Sequence, residues 1–514
     1  MEKHRLTIQP GGESREFDEG TPLIDALADM GAFLRTPCGG KGVCGKCGVL
    51  IESGAPGRSA AEDRFFPSEP LSRLACRASI TGDMTVFVPA AKSAARPGKP
   101  PPPRLRDPAV ALDIGTTMVQ LSLVERADGV TYPLESFLNP QRRHGHDVIG
   151  RIAASSDPLV RESLARVIRG AVAVSIRTGL SYCGMGLDDI GLLVVSGNTT
   201  MTHLFFGIDV RPLGVHPYTA NELDYDRYAS LKELLPSARV AALPSASAFL
   251  GGDLVGGLAI SDRMGLQKNV FFIDIGTNGE MFLRDGAGTV YAASCAMGPA
   301  LEGMNISSGM TADEGAINHY TVENGSLKSA VIGGGAPVGI CGTGIIDALA
   351  IMLREGVVRD NGAIDRVAAE ASAIFRGRIA PQNGTVACLL ADGVAITQKD
   401  IRNIQLAKGA SLAAARTLLK DAAYDAGQIE HVLIAGAFGE NLDIDSFRKL
   451  GFLPDFPGAR YRFLGNTSLA AAERACVDPG FIAGCRALRD GLRVVELSTR
   501  PDFNDEFIAC LNFR

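Results

Sequence analysis

Long apolar runs are missing from this 514-residue chain. None approaches the ~20 residues that a membrane-crossing helix needs, and mean hydropathy is only +0.12. The amino-terminal MEKHRLTIQP lacks the apolar stretch of a secretory signal. A soluble, cytoplasmic protein with no membrane partner is therefore expected. An excess of one charge sign is missing too. The formal net charge is -6, both signs are spread along the chain, and no clustered basic face marks a nucleic-acid partner. There is also no disulfide framework. The cysteines number eleven, an odd count, with four in the first 80 residues and the other seven scattered. One cluster with scattered singles reads as a metal site plus buried small side chains.

Glycine, by contrast, is abundant. Its 60 residues gather in short clusters, which favours tight turns beside ligands cradled by backbone. The length suggests roughly three or four domains. Residues 1–92 read as one unit. Arg5–Ile8 is a strand, Pro10-Gly11-Gly12 a turn and Ser14–Phe17 the returning strand. Thr21 is the expected N-cap of a helix with Pro22 at its first position. Leu23, Ala26, Leu27 and Met30 fall on one face of that helix. A cysteine loop follows, then strands at Gly48–Ile51 and Thr85–Val88. This order of hairpin, helix, ligand loop and strands is a β-grasp, an α+β fold.

Residues 93–107, SAARPGKPPPPRLRD, read as a linker. Pro100 to Pro103 impose an extended left-handed helix, spanning up to ~45 Å at roughly 3.1 Å per residue. It is either a passive spacer or a tether that lets the first unit swing between two docking positions. Residues 108–514 alternate strands and helices and are α/β. They contain a weak repeat: Ala111-Leu112-Asp113-Ile114-Gly115-Thr116-Thr117 recurs 161 residues later as Phe272-Ile273-Asp274-Ile275-Gly276-Thr277-Asn278. Two similar lobes are expected, 108–268 and 269–514. A helix is expected to start at the capping box Thr397-Gln398-Lys399-Asp400 and run to about Asp421.

Cys38, Cys44 and Cys47 form C-x5-C-x2-C, and Cys76 follows after 28 more residues. Four thiolates are what a 2Fe-2S cluster requires, and the loop glycines let backbone N–H groups turn toward its sulfurs. Lys41 and Lys46 add positive charge nearby. Zinc is the alternative, although zinc knuckles usually pair two CxxC units and Cys76 stands alone. The repeated Asp-Ile-Gly-Thr turns suit phosphate. Gly and Thr expose N–H groups to its oxygens, and the Asp is placed to hold Mg2+ through water or to orient an attacking water. The strand His431–Ala435 ends in Gly436-Ala437-Phe438-Gly439, a turn open enough for adenine or ribose. Ser196–Thr200 and Gly342-Thr343-Gly344 open helices and serve either an anion or close packing. Arg142, His144, His146 and Asp147 form a polar cluster, either a metal site or polar contacts. Met297, Met304 and Met310 lie in a glycine-rich loop, where methionine fills gaps or meets a partner.

With these motifs on the page, residues 108–514 resemble the actin-like, sugar-kinase and heat-shock ATPase superfamily. That resemblance implies a first phosphate motif at Asp113, Gly115, Thr116 and Thr117. It implies a second at Asp274, Gly276, Thr277 and Asn278, and an adenosine turn at Gly436 and Gly439. The ligand would be ATP with Mg2+. The whole chain, through its cysteine set, LDIGTT, SGNTTM, FIDIGTNGE, SGMTADEGAI and IAGAFGENLDI, resembles the reductive activators of corrinoid-dependent enzymes. In that family 108–268 corresponds to a middle domain and 269–514 carries a dimer contact, implying a homodimer. The implied job is ATP-driven return of one electron to the Co(II) corrinoid protein of a methyltransferase system, drawn from a low-potential electron donor. An activator of a dehydratase-type metalloenzyme, a small-molecule kinase with a fused redox sensor and a plain electron carrier remain alternatives.

Overall fold

The structure, a computed structural model, describes residues 2–9, 11–32, 34, 36–88, 102, 104–134, 136–145, 147–382, 384–436 and 442–513. Pro10, Pro100, Pro101, Pro103, His146 and Ala437–Gly439 lie outside them. Residues 3–87 build a five-stranded sheet ordered Glu13–Asp18, Lys3–Gln9, Met84–Phe87, Gly48–Ser53, Ser72–Leu74. The first two strands form the antiparallel hairpin, and Lys3–Gln9 runs parallel to Met84–Phe87, giving the β-grasp. The helix Leu23–Asp29 lays Leu23, Ala26 and Leu27 on Leu6, Val49, Ile51 and Val86. Its N-cap is Pro22, one residue later than expected. The Thr21 hydroxyl instead donates to the Asp18 carbonyl at 2.6 Å, closing the preceding turn.

Two six-stranded sheets follow. The first is ordered Arg239–Ala242, Leu192–Gly197, Pro108–Ile114, Met118–Glu125, Val130–Pro133, with Phe137–Leu138 paired to Met118–Glu125. The second is ordered Arg460–Gly465, His431–Gly436, Val270–Ile275, Asn278–Arg284, Val290–Ala296, Leu492–Val494. In each, the strand ending in Asp-Ile is central. It pairs antiparallel with the next strand and parallel with a later one. The repeated sequence is thus a repeated topology. Burial on both faces explains the apolar runs Ala109–Leu112 and Val270–Ile273. The helices Gly252–Arg263 and Thr467–Val477 pack between the sheets. A side chain at Gly256 would clash with the Ala471 methyl at 2.8 Å, so their closeness depends on that glycine. The end of the linker is pinned to the first of these sheets: Leu105 is buried in its core and Arg106 pairs with Glu125.

The helix Gln398–Asp421 begins at the capping box that its sequence specifies. Asp400 has a second task, accepting from both the backbone N–H and the hydroxyl of Ser307, at 2.9 and 3.1 Å. It therefore pins the long loop between Val290–Ala296 and Ala316–Glu323. Thr397→Ala is expected to cost about 1 kcal/mol through the lost cap. Asp400→Ala should cost roughly 2–4 kcal/mol, because two N–H donors, at Thr397 and Ser307, lose their acceptor at ~1–3 kcal/mol each. Thermal unfolding checks this ranking, and equal losses would contradict it.

Candidate functional site

The loop from Cys38 to Cys47 is shaped by glycines. Gly39, Gly40, Gly42 and Gly45 have φ of 65, 83, 77 and 71°. That path turns the N–H groups of Gly42, Val43 and Cys44 toward the Cys38 sulfur, while Gly42 also faces Cys76. The sulfurs form two pairs, Cys38–Cys44 and Cys47–Cys76, each 3.3 Å apart. Among the described residues, no three of these sulfurs lie within 4.8 Å of one another. Four sulfurs around a single tetrahedral zinc would crowd closer than that. Two separated pairs fit two bridged iron atoms, so the donor set suits a 2Fe-2S cluster. Within the first pair, donation from Cys44 pulls the Cys38 thiol down to about 5, while the same bond and burial push Cys44 up. Cys47 is pushed up and Cys76 lowered by their mutual bond.

This loop is docked on the rest of the chain. Cys38, Cys44 and Cys47 are buried, and Cys38 and Cys44 pack with Met310, Ala316 and Cys341 of the second lobe. Met304 fills the space against Gly39, so its partner is this chain's own cysteine loop. Lys41 does more than add charge near the sulfurs. Its ammonium donates to the carbonyls of Gly303, Ile306 and Gly309 at 2.7, 2.7 and 2.8 Å. Burial, partly offset by the Cys38 charge, lowers its pKa to about 8. Lys46 pairs with Glu314 at 3.1 Å, and Thr311 N–H donates to the Pro37 carbonyl at 2.8 Å. The polar cluster near residue 144 is a docking contact as well: Arg142 donates to the Gly39 carbonyl and Arg143 pairs with Asp29, both at 2.5 Å. His144 bonds Arg143 and Ser163, and Asp147 caps the helix Val148–Ala154.

The two Asp-Ile-Gly-Thr turns meet across the seam between the lobes. The hydroxyls of Thr117 and Thr277 are 2.9 Å apart, and both reach Glu302, at 2.8 and 2.7 Å. Asp113 accepts from Asn466 and Ser468 at 2.7 and 2.6 Å. Asn198, from the Ser196–Thr200 turn, donates to the Thr116 hydroxyl at 3.1 Å, while the buried Arg151 donates to the Thr116 carbonyl at 2.6 Å. Gly115 and Gly436 hold tight approaches: a side chain at Gly115 would strike the Met118 carbonyl at 2.5 Å, and one at Gly436 the Ile275 carbonyl. Gly276 and Asn278 close the second turn through a backbone bond of 3.0 Å. Gly344, by the same test, serves close packing against the Ile317 carbonyl at 2.5 Å.

Five acids converge here. Burial raises the pKa of Asp113, Asp253, Asp274, Glu280 and Glu302, taking Asp253 up to about 7. Repulsion from Asp253, Asp113 and Glu302 adds to the rise at Asp274. Five buried acids with the guanidinium of Arg151 near Glu302 are what a site for a divalent metal and phosphate looks like. Asp253, Glu280 and Glu302 escaped the sequence reading. Glu280 lies two residues beyond the second motif and pairs with Asp274 across the strands, which a register argument finds. Asp253 and Glu302 come from a helix start and a loop that only tertiary structure brings to the seam.

Fold and site define a class: a β-grasp ferredoxin joined to a two-lobed actin-like ATPase fold. Residues 6–81 match the family model described as a 2Fe-2S iron-sulfur cluster binding domain. Residues 108–266 match the RACo middle region, and 268–514 the C-terminal domain of RACo, the ASKHA domain. The corrinoid activation enzyme RamQ of Eubacterium limosum is 31% identical over 412 residues, 78% of this chain and 69% of RamQ. The [Co(II) methylated amine-specific corrinoid protein] reductase of Methanosarcina barkeri is 25% identical over 451 residues, 79% of this chain and 76% of the reductase. A solved reductive activator for corrinoid, iron-sulfur protein superposes with a TM-score of 0.73 at 27% identity, covering 99% of this chain and 98% of that one. The chain belongs to the family of reductive activators of corrinoid-dependent enzymes.

Two substitutions probe the two centres. Cys44→Ser should bleach the visible absorbance and lower bound iron. Zinc found in place of iron in the unaltered protein would contradict the assignment. Asp253→Asn removes one buried like charge, so it should raise the melting temperature of nucleotide-free protein while weakening Mg-ATP binding. Calorimetry on both forms tests this, and a fall in both quantities would contradict it.

Proposed function

We propose that this chain is an ATP-dependent reductive activator. It delivers one electron to the Co(II) corrinoid protein of a methyltransferase system, restoring Co(I). The observation that carries the reading is the union, on one chain, of paired sulfurs fit for two irons and two phosphate turns within hydrogen-bond distance of each other. When bound, a 2Fe-2S cluster supplies a one-electron carrier. Cys38, Cys44, Cys47 and Cys76 would hold it, and the N–H groups aimed at their sulfurs offset negative charge. Thr116, Thr117, Thr277 and Asn278, with the N–H groups of Gly115 and Gly276, would hold phosphates, and Gly436 and Gly439 the adenosine. Asp113, fixed by Asn466 and Ser468, and Asp274 would position Mg2+ or the attacking water.

The energetics explain the fusion. Co(I) is a strong reductant, and each 100 mV of uphill one-electron transfer costs about 2.3 kcal/mol. Lobe closure on nucleotide can supply this by favouring one conformation of the redox complex. The division into 1–92, linker 93–107, 108–268 and 269–514 gives each task its own unit. A low-potential electron donor, a homodimeric state and a cytoplasmic setting complete the proposal, consistent with the absence of a membrane-crossing helix among the described residues.

Asp113→Asn or Asp274→Asn should cut ATP turnover at least ~100-fold and leave the visible spectrum of the cysteine site unchanged. Reduced protein mixed anaerobically with Mg-ATP and a Co(II) corrinoid protein should yield the Co(I) absorbance band. Equally fast Co(I) formation without ATP would contradict energy coupling.

A further inference from the structure

The nucleotide seam and the docked cysteine loop are gripped by one segment, residues 297–315. Glu302 reaches into the seam and accepts from Thr117 and Thr277, the hydroxyls assigned above to phosphate. The next residue, Gly303, supplies one of the three carbonyls that hold the Lys41 ammonium. One peptide unit therefore separates an anion in the phosphate position from the socket that locks the ferredoxin domain. The other side of the socket, Ile306 and Gly309, has anchors of its own, and the Gly303 backbone packs against Gly309 and Met310. Asp400 holds Ser307 through two bonds, and Met310 N–H is tied to the Ile340 carbonyl at 2.9 Å. A displacement of Glu302 would therefore draw the Gly303 carbonyl against a side of the socket that Asp400 and Ile340 hold.

We propose that Glu302 is a phosphate surrogate whose displacement by nucleotide unlatches Lys41 and releases the ferredoxin domain. A carboxylate and a phosphate cannot share the Thr117 and Thr277 hydroxyls: each hydroxyl has a single proton to donate, and two anions at this distance repel. In the docked arrangement Cys38 and Cys44 are buried against the second lobe, which covers that side of the loop, while Cys76 is partly exposed. Entry of phosphate moves Glu302, opens the socket and frees residues 37–47 to reach the client. Glu302 and Lys41 are positioning residues; neither touches the cobalt. The proposal rests on the nucleotide reading of the seam. Because coupling is reciprocal, nucleotide weakens docking by the same factor by which docking weakens nucleotide binding, so loosening the latch tightens nucleotide binding by up to that factor.

The test uses the full chain with its cluster bound and reduced, and a nitroxide at Val367→Cys, an exposed position on the second lobe. Pulsed electron paramagnetic resonance reads the cluster-to-nitroxide distance, and calorimetry reads binding of a non-hydrolysable ATP analogue with Mg2+. One narrow distance is expected without nucleotide, and a longer, broader distribution with it. Lys41→Met should give the broad distribution without nucleotide and bind the analogue about 5- to 100-fold tighter, the usual span of such coupling. Glu302→Gln, which keeps the shape and removes the charge, should also bind it tighter. An unchanged distance despite calorimetric binding would overturn the latch alone. Weaker binding by Glu302→Gln would do the same, since it would make Glu302 a nucleotide ligand. No calorimetric binding by the unaltered protein would overturn the nucleotide reading together with the latch.

Discussion

The carboxylate of Glu302, shared between the hydroxyls of Thr117 and Thr277, joins the two lobes at the point where their repeated turns meet. Each lobe supplies one threonine, and the loop that carries the acid belongs to the second lobe. Hydrogen bonds to a charged group contribute roughly 1.5–3 kcal/mol each, which the burial of the Glu302 carboxyl partly offsets. The same seam collects Asp113, Asp253, Asp274 and Glu280, whose burial and mutual repulsion oppose closure. Closure without nucleotide is thus a balance between two hydroxyl donors and a crowd of acids. A divalent cation with a polyphosphate would relieve both sides of that balance at once.

The placement of the cysteine loop follows from the same segment. Lys41 is a long cation taken partly out of water, which is tolerable because its three N–H donors each find a carbonyl. Arg142, bonded to the Gly39 carbonyl, and Arg143, paired with Asp29 at the end of the helix Leu23–Asp29, hold the ferredoxin unit to the first lobe. The ferredoxin unit therefore contacts both lobes. Its contacts join ion pairs and bonds to backbone carbonyls with one small apolar cluster around Cys38 and Cys44. Such an interface suits a unit that docks and leaves better than one that is permanently buried.

Features whose chemistry is fixed by covalent spacing were legible in the sequence. The four cysteines form a recognisable interval pattern, and the strand–turn proposed for phosphate repeats as Asp-Ile-Gly-Thr in both lobes. The capping box at Thr397 was legible for the same reason, since both partners lie within one helical turn. Thr21 misled because its hydroxyl donates to the Asp18 carbonyl in the preceding turn, and the helix starts one residue later, after Pro22. Glu302, Asp253 and the Lys41 socket were hidden. Their partners are brought together only by tertiary packing, and the socket consists of backbone carbonyls, which no residue pattern encodes. Gly439 of the proposed adenosine turn lies outside the described residues.

The account stands on nucleotide driving an electron uphill, and equilibrium tests that more directly than rate. The protein and its Co(II) corrinoid client are held with a redox buffer at fixed solution potential, and the Co(I) fraction is read from its absorbance with and without Mg-ATP. The account predicts a Co(I) fraction that, while ATP lasts, exceeds the value set by the buffer potential, and that falls back when ATP is exhausted. A Co(I) fraction that obeys the buffer potential in both conditions would contradict it.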